Sequence, residues 1–247
     1  MFNFFKKKDK PLLDFSGVGV DMHSHLIPGI DDGVKTVEES LTLIRGLQAL
    51  GFQKIITTPH IYKEHYPNTK AGILRGLAEL KIALKEANIS IPIEASAEYF
   101  MDDHYETLLD NNDILPFMDK YVLVEMSFFG APPKLEEYHF KTQIKGYTPI
   151  LAHPERYLFY HNDFEQFYEL KEKGVLLQLN IASIMGYYGK PIKRIAQRML
   201  KEKLIDVIGT DMHHEGHLSY LQSNLNHQEC QLILSSYETK NAKIFGL

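Results

Sequence analysis

The sequence predicts an α/β fold, with parallel strands that close into a barrel and a metal site at the strands' C-terminal ends. Three observations carry this. Short β-branched runs alternate with stretches of helical period along the 247 residues. The strand-like runs are polar mainly at their ends, as strands buried on both faces are. Six of seven such runs end in histidine or a carboxylate, where an α/β barrel gathers its functional side chains. The length suits one such domain better than two.

The first strand leads into Asp21-Met22-His23-Ser24-His25. Strand side chains alternate, so His23 and His25 share a face while Ser24 points away. A turn-rich stretch, Pro28 to Gly33, precedes Thr36-Val37-Glu38-Glu39, which has the form of a capping box. Apolar residues at Val37, Leu41, Ile44, Leu47 and Leu50 mark an amphipathic helix that Gly51 stops. A strand over 54–60 is halted by Pro59, and a helix over 71–87 carries Leu74, Leu77, Leu80 and Leu84. A third strand covers 91–98, a short helix 105–109 and a fourth strand 121–126. A helix over 135–145 leads to the fifth strand, which ends at His153. The helix over 164–173 stops at Gly174, before a sixth strand over 175–180. Pro191 begins the next helix, where its missing N–H costs nothing. The seventh strand, 205–213, ends in Asp211-Met212-His213, and a last helix is expected within 226–237. Residues 1–16 read as an N-terminal tail before a domain of residues 17–247.

Composition excludes several classes. A net charge of −5 argues against nucleic-acid binding, and no apolar run approaches the ~18 residues of a membrane span. The single cysteine, Cys230, rules out an internal disulfide and fits a reducing, cytoplasmic setting. Its apolar, helical neighbourhood reads as structural. The start, Met1 to Lys10, has the wrong charge order for a secretory signal. It suits a loose tail, or a weak attachment to an acidic membrane surface.

The strand ends carry the chemistry: His23, His25, His60, Glu98, Glu125, His153, Asp211 and His213. Singly, each has a bland role as a cap, salt-bridge partner or solvated loop residue. Together around one mouth, they would be costly without counter-charge, which divalent cations supply. Three or four such side chains serve one ion, so the set suits two or three ions. Donors of this type without thiolate suit manganese, iron or zinc.

These residues resemble the PHP (polymerase and histidinol phosphatase) superfamily. The phrases His23-Ser-His-Leu-Ile-Pro-Gly-Ile-Asp-Asp-Gly33, Thr57-Thr-Pro-His60 and Leu151-Ala-His-Pro-Glu-Arg156 resemble its bacterial tyrosine-protein phosphatase branch, associated with capsule and exopolysaccharide synthesis. The resemblance spans roughly residues 17 to 240. It implies a distorted (β/α)7 barrel of the PHP fold with a trinuclear centre, manganese being the favoured metal. One ion would sit among His23, His25, Glu98 and Asp211, and a second between Glu98, Glu125 and His153, with Glu98 bridging. The third would take His60, His213 and one of Asp31 and Asp32, with a slight preference for Asp32. An Asp-Asp-Gly turn is the bland reading of whichever acid is not a ligand.

Such a site implies hydrolysis of phosphotyrosine by hydroxide on a metal, attacking phosphorus in line. Arg156 is the candidate for a catalytic, substrate-binding grip on the phosphoryl oxygens. Nothing resembles the Cys-x5-Arg loop of thiol phosphatases. The branch leads one to expect another arginine after Asp211-x-His213; the run through Leu218 has none, and His214 and His217 are the candidates to replace it in substrate binding. Tyr62, Phe128, Phe129, Pro132, Pro133, Tyr187 and Tyr188 are candidates for the walls around a phosphotyrosine ring. The implied partner is the tyrosine-rich tail of a membrane-bound bacterial kinase, which would bring a cytoplasmic enzyme to the membrane. Two alternatives stand beside it: a small-molecule phosphoesterase resembling histidinol-phosphate phosphatase, and a non-catalytic metal-binding scaffold.

Overall fold

Pro59 splits the second strand. Lacking an N–H, proline cannot continue a ladder, so β2 (Lys54–Thr57) ends before it and β3 (His60–Ile61) begins after it. The neighbouring chain breaks in step, giving β4 (Ile93–Ala95) and β5 (Glu98–Phe100). With β1 (Val20–Asp21), β6 (Tyr121–Glu125), β7 (Thr148–Ala152), β8 (Leu176–Asn180) and β9 (Val207–Gly209), these form two wholly parallel sheets. Their orders are β1-β2-β4 and β3-β5-β6-β7-β8-β9. The α/β class and the parallel pairing are as the sequence predicts. The ladders are not continuous, stopping at 58–59 and 96–97. Isolated contacts join the edges, since Asp211 N donates to His23 O and His25 N to Met212 O, both at 2.8 Å.

The computed structural model describes residues 14–225 and 240–247. Its helices are α1 (Val37–Ala49), α2 (Lys70–Glu86), α3 (Asp103–Asp110), α4 (Leu135–Ile144), α5 (Glu165–Glu172), α6 (Ile181–Met185), α7 (Lys190–Lys201), α8 (Glu215–Asn224) and α9 (Asn241–Phe245). The capping box of α1 forms as expected: Glu39 N donates to Thr36 Oγ1 and Thr36 N to Glu39 Oε2, both at 3.2 Å. The packed chain reaches into the expected tail. Phe15 is fully buried, stacked on Phe52 with centroids 5.2 Å apart. Residues 1–13, Cys230 and the helix expected within 226–237 lie outside the described residues. Among the described residues no helix is long and apolar enough to cross a membrane.

The larger core lies between helices and sheets, where Ile44, Leu47 and Leu50 are buried as expected, joined by Leu43, while Val37 at the start of α1 is exposed. A second core of Val20, Met22, Ile56, Leu123, Ile150 and Val207 fills the space between the sheets and packs on Phe245. The short α9 thus closes the N-terminal end of the strands. Asn241 fastens it, its Nδ2 donating to Val20 O and Ile208 O and its Oδ1 accepting from Ile208 N. Lys54 Nζ adds a bond to Phe245 O. The opposite end is left to the histidines.

Candidate metal centre

His23 and His25 stand just past β1, in chain kept extended by a parallel bridge between Ser24 and Met212. Their imidazoles turn to the same side, Nε2 to Nε2 3.3 Å apart. Two ring nitrogens this close, in full burial, need a shared cation or proton between them and the nearby acids. Glu98, at the start of β5, is the hub. Its Oε2 lies 3.1 Å from His23 Nε2, 3.2 Å from His60 Nδ1 and 3.4 Å from His25 Nε2, and its Oε1 lies 3.2 Å from His153 Nε2. Glu125, ending β6, approaches His153 at 3.4 Å and His60 at 3.7 Å. Asp211 Oδ1 is 3.3 Å from His23 and 3.6 Å from His25.

Two of these residues take left-handed backbone: His153 (φ 34°) and Asp211 (φ 53°). His153 directly follows β7 and Asp211 lies two residues past the end of β9, and the conformation, tolerated by His and Asp better than by most residues, turns the side chain into the centre. Gly33 is equally forced. A Cβ there would lie 2.2 Å from His25 O.

The adjacent acids of the Asp31-Asp32 turn part ways. Asp32 Oδ1 lies 3.4 Å from His60 Nε2 and 3.5 Å from His213 Nε2. Asp31 sits behind the cluster: its Oδ2 accepts from His25 Nδ1 at 2.8 Å and from His60 N at 3.1 Å, and its Oδ1 accepts from Gly33 N. His213 Nδ1 donates to Asp211 O at 2.8 Å, leaving Nε2 for the centre. Four overlapping groups result: His25-Asp32-His60-His213, His23-Glu98-His153, His23-His25-Asp211 and His60-Glu98-Glu125, their ligating atoms within 4.8 Å of one another in each. Five imidazoles and four carboxylates without thiolate fit hard-to-borderline divalent ions.

The electrostatics agree with a site built for cations. Burial disfavours charge throughout, yet the imidazoles hold Glu98 and Asp211 well below the usual carboxylate range. Burial and neighbouring cations likewise fail to keep His60 and His153 neutral. Glu98 and Asp32 help raise His60 to about 9, and hydrogen bonds to the Glu125 and Glu98 carboxylates do the same for His153. Protons or metal ions are what these carboxylates draw in.

Above the centre opens a cavity of about 640 Å³ with Tyr62, Phe100, Phe128 and Phe129 on its walls and Arg156 beside them. Arg156 is sandwiched between the rings of Phe128 and Tyr188, 4.7 and 4.4 Å from their centroids. Its NH1 donates to Asp211 Oδ2 at 2.8 Å. Among the described residues lining the cavity it is the one arginine or lysine. His217 lines it too. Its Nδ1 accepts from His213 N, and burial lowers its pKa to about 4, so it faces the cavity neutral. Pro132 and Pro133 do not line it; Tyr187 packs on His217.

Sequence reading passes over several residues of the site. Tyr66 stacks on His60 with centroids 5.3 Å apart, and Asn180 Nδ2 donates to Asp211 Oδ2 at 3.0 Å. Gln178 Oε1 lies 2.8 Å from His23 Nδ1. For Gln178 a signal exists: it is a polar residue inside the apolar run Leu176-Leu177-Gln178-Leu179. Tyr66 has none, because only the fold of the 58–66 loop brings it over His60.

With this geometry, the chain is similar to proteins of known activity. The family model "Capsular polysaccharide synthesis, CpsB/CapC" matches residues 19–231. Tyrosine-protein phosphatase YwqE of Bacillus subtilis is 30% identical over 195 residues, covering 78% of this chain and 77% of that one. Tyrosine-protein phosphatase CpsB of Streptococcus pneumoniae is 28% identical over 232 residues, 91% and 93% of the two chains. In three dimensions the chain resembles a solved structure from a study of those two proteins as metal-dependent tyrosine phosphatases. The TM-score is 0.75 at 26% identity, over 89% of this chain and 95% of that one.

Proposed function

We propose that this chain, which belongs to the CpsB/CapC family of capsular polysaccharide synthesis, is a metal-dependent protein-tyrosine phosphatase. The observation that carries this is the gathering of five imidazoles and four carboxylates in one centre, four of the imidazoles lying against Glu98, under a cavity walled by aromatic rings. The two sheets then represent a (β/α)7 barrel of the PHP type, distorted where Pro59 interrupts it. Three ions fit the four overlapping groups, with Glu98 shared, Asp32 rather than Asp31 completing the set of His60 and His213, and manganese the preferred metal, ahead of iron and zinc.

Divalent ions held there supply Lewis acidity toward the phosphoryl oxygens and an activated water. The chain's own groups do the rest. Arg156, its plane fixed by two rings and by Asp211, presents its remaining N–H groups to the phosphoryl oxygens as their charge grows. Phe128, Phe129, Phe100 and Tyr62 hold the phenyl ring of the substrate and keep water from it. Neutral His217 donates a hydrogen bond in place of a second arginine. Phenolate, the conjugate base of a group with a pKa of ~10, departs without strong need of an acid.

The physiological substrate in this reading is the tyrosine-rich tail of a membrane-bound kinase, met in the cytoplasm at the membrane. The test is comparative turnover, with manganese present, of a phosphotyrosine peptide, a phosphoserine peptide and histidinol phosphate. Preference for phosphotyrosine supports the proposal. Preference for histidinol phosphate would replace it with a small-molecule phosphoesterase, and inertness toward all three by metal-loaded protein would favour a scaffold.

A further inference from the structure

Gln178 lies in the middle of β8, fully buried, and behind the metal centre rather than in it. Its Oε1 lies 2.8 Å from His23 Nδ1 and also accepts from His153 N at 3.3 Å. Its Nε2 has no hydrogen-bond partner among the described residues. A buried amide left half satisfied is costly in the middle of an otherwise apolar strand. Space for it is made deliberately. On the neighbouring strand β9, a Cβ at Gly209 would lie 2.7 Å from His23 Cβ and 3.0 Å from Gln178 Nε2.

We propose that Gln178 is a positioning residue for the metal centre: its carbonyl oxygen holds the His23 proton on Nδ1 and thereby aims the Nε2 lone pair at the ion shared with Glu98 and Asp211. The oxygen has no proton to give, so a His23 bonded to it must donate. Nε2 is then the bare nitrogen, and it already lies 3.1 Å from Glu98 Oε2 and 3.3 Å from Asp211 Oδ1. The same oxygen, through His153 N, fixes the left-handed turn that delivers a second imidazole. His25 is oriented by a different device, the carboxylate of Asp31. Partners of this kind typically govern metal affinity by 10–100-fold. This inference rests on the metal-site reading given above.

The test is manganese binding by titration calorimetry and metal analysis on wild type, Gln178→Met and Gln178→Glu. Methionine matches the volume without the acceptor; glutamate keeps the acceptor. The expected result is a loss of about 10–100-fold in affinity for one ion in Gln178→Met, and binding within about threefold of wild type in Gln178→Glu. In the metal-free protein, imidazole ¹⁵N NMR should show the His23 proton on Nδ1 in wild type and Gln178→Glu but no longer confined there in Gln178→Met, a change that a merely structural role would not give. Wild-type affinity in Gln178→Met, or equal loss in both variants, overturns the inference while leaving the metal site intact. Failure of the wild type itself to bind metal overturns both. Should Gln178→Met not fold, imidazole ¹⁵N NMR of the zinc-loaded wild type decides. A proton on His23 Nδ1 is expected, and a bare Nδ1 refutes the role.

Discussion

Replacing Arg156 asks how the mouth of this site grips a phosphoryl group. The guanidinium is held on three sides: by Asp211 Oδ2 at 2.8 Å, and by the faces of Phe128 and Tyr188 at 4.7 and 4.4 Å. Arg156→Ala removes the one permanent side-chain cation among the described residues of the cavity. Loss of such a donor to developing charge is worth about 2.7–4 kcal/mol, or ~10²–10³ in kcat/KM. Arg156→Lys keeps the charge but forfeits the fork and much of the stacking. At ~0.5–1 kcal/mol for each partly exposed stack, about 1–2 kcal/mol goes, roughly 5–30-fold. The assay is steady-state turnover of a phosphotyrosine peptide at saturating manganese, with metal content measured beside it because Asp211 loses a partner. The order wild type, Lys, Ala is expected. An alanine variant within about threefold of wild type at full metal content would refute the role given to Arg156.

Three further outcomes are expected. Asp32→Asn should lower bound manganese by one ion, whereas Asp31→Asn should keep the stoichiometry and weaken affinity by about 10–100-fold; metal analysis giving the reverse would exchange their roles. Metal-stripped protein should lose thermal stability as pH rises from 6.5 to 9, because His60 and His153 are raised to about 9. A raised histidine stabilises fully below its unfolded pKa of ~6.5, and that contribution is lost as pH climbs through the folded value. Melting curves flat or rising over that interval would show the carboxylates do not hold these protons. Phe245→Ala, emptying a fully buried site at the foot of the sheets, should cost about 3–5 kcal/mol in denaturant unfolding; under 1 kcal/mol would mean α9 is not part of the core.

The sequence displays the site better than the scaffold. A strand end is legible because proline, glycine and a change from apolar to polar residues mark it, so His60, Glu98, Glu125 and His153 stand out one by one. Their convergence on one centre is not legible, since it depends on strand order and on the left-handed turns at His153 and Asp211. Pro59 announces a halt, but not that the break spreads to the neighbouring strand at 96–97 and divides the sheet. Asp31 and Asp32 look alike in sequence and differ only in which way the turn faces them. The closing helix α9 is hidden for another reason. Five residues are too few for periodicity to register, and Asn241 and Phe245 become core only by reaching residues some 220 and 190 positions earlier in the chain.

The central claim is that this cluster makes a phosphotyrosine hydrolase through bound metal. The most direct test strips the protein of metal, restores manganese, and follows phosphate release from a phosphotyrosine peptide, with His23→Ala run in parallel. Activity that disappears on stripping, returns with manganese and is absent from a folded His23→Ala protein is the expected result. Hydrolysis by the stripped enzyme, or undiminished hydrolysis by His23→Ala, would contradict the account.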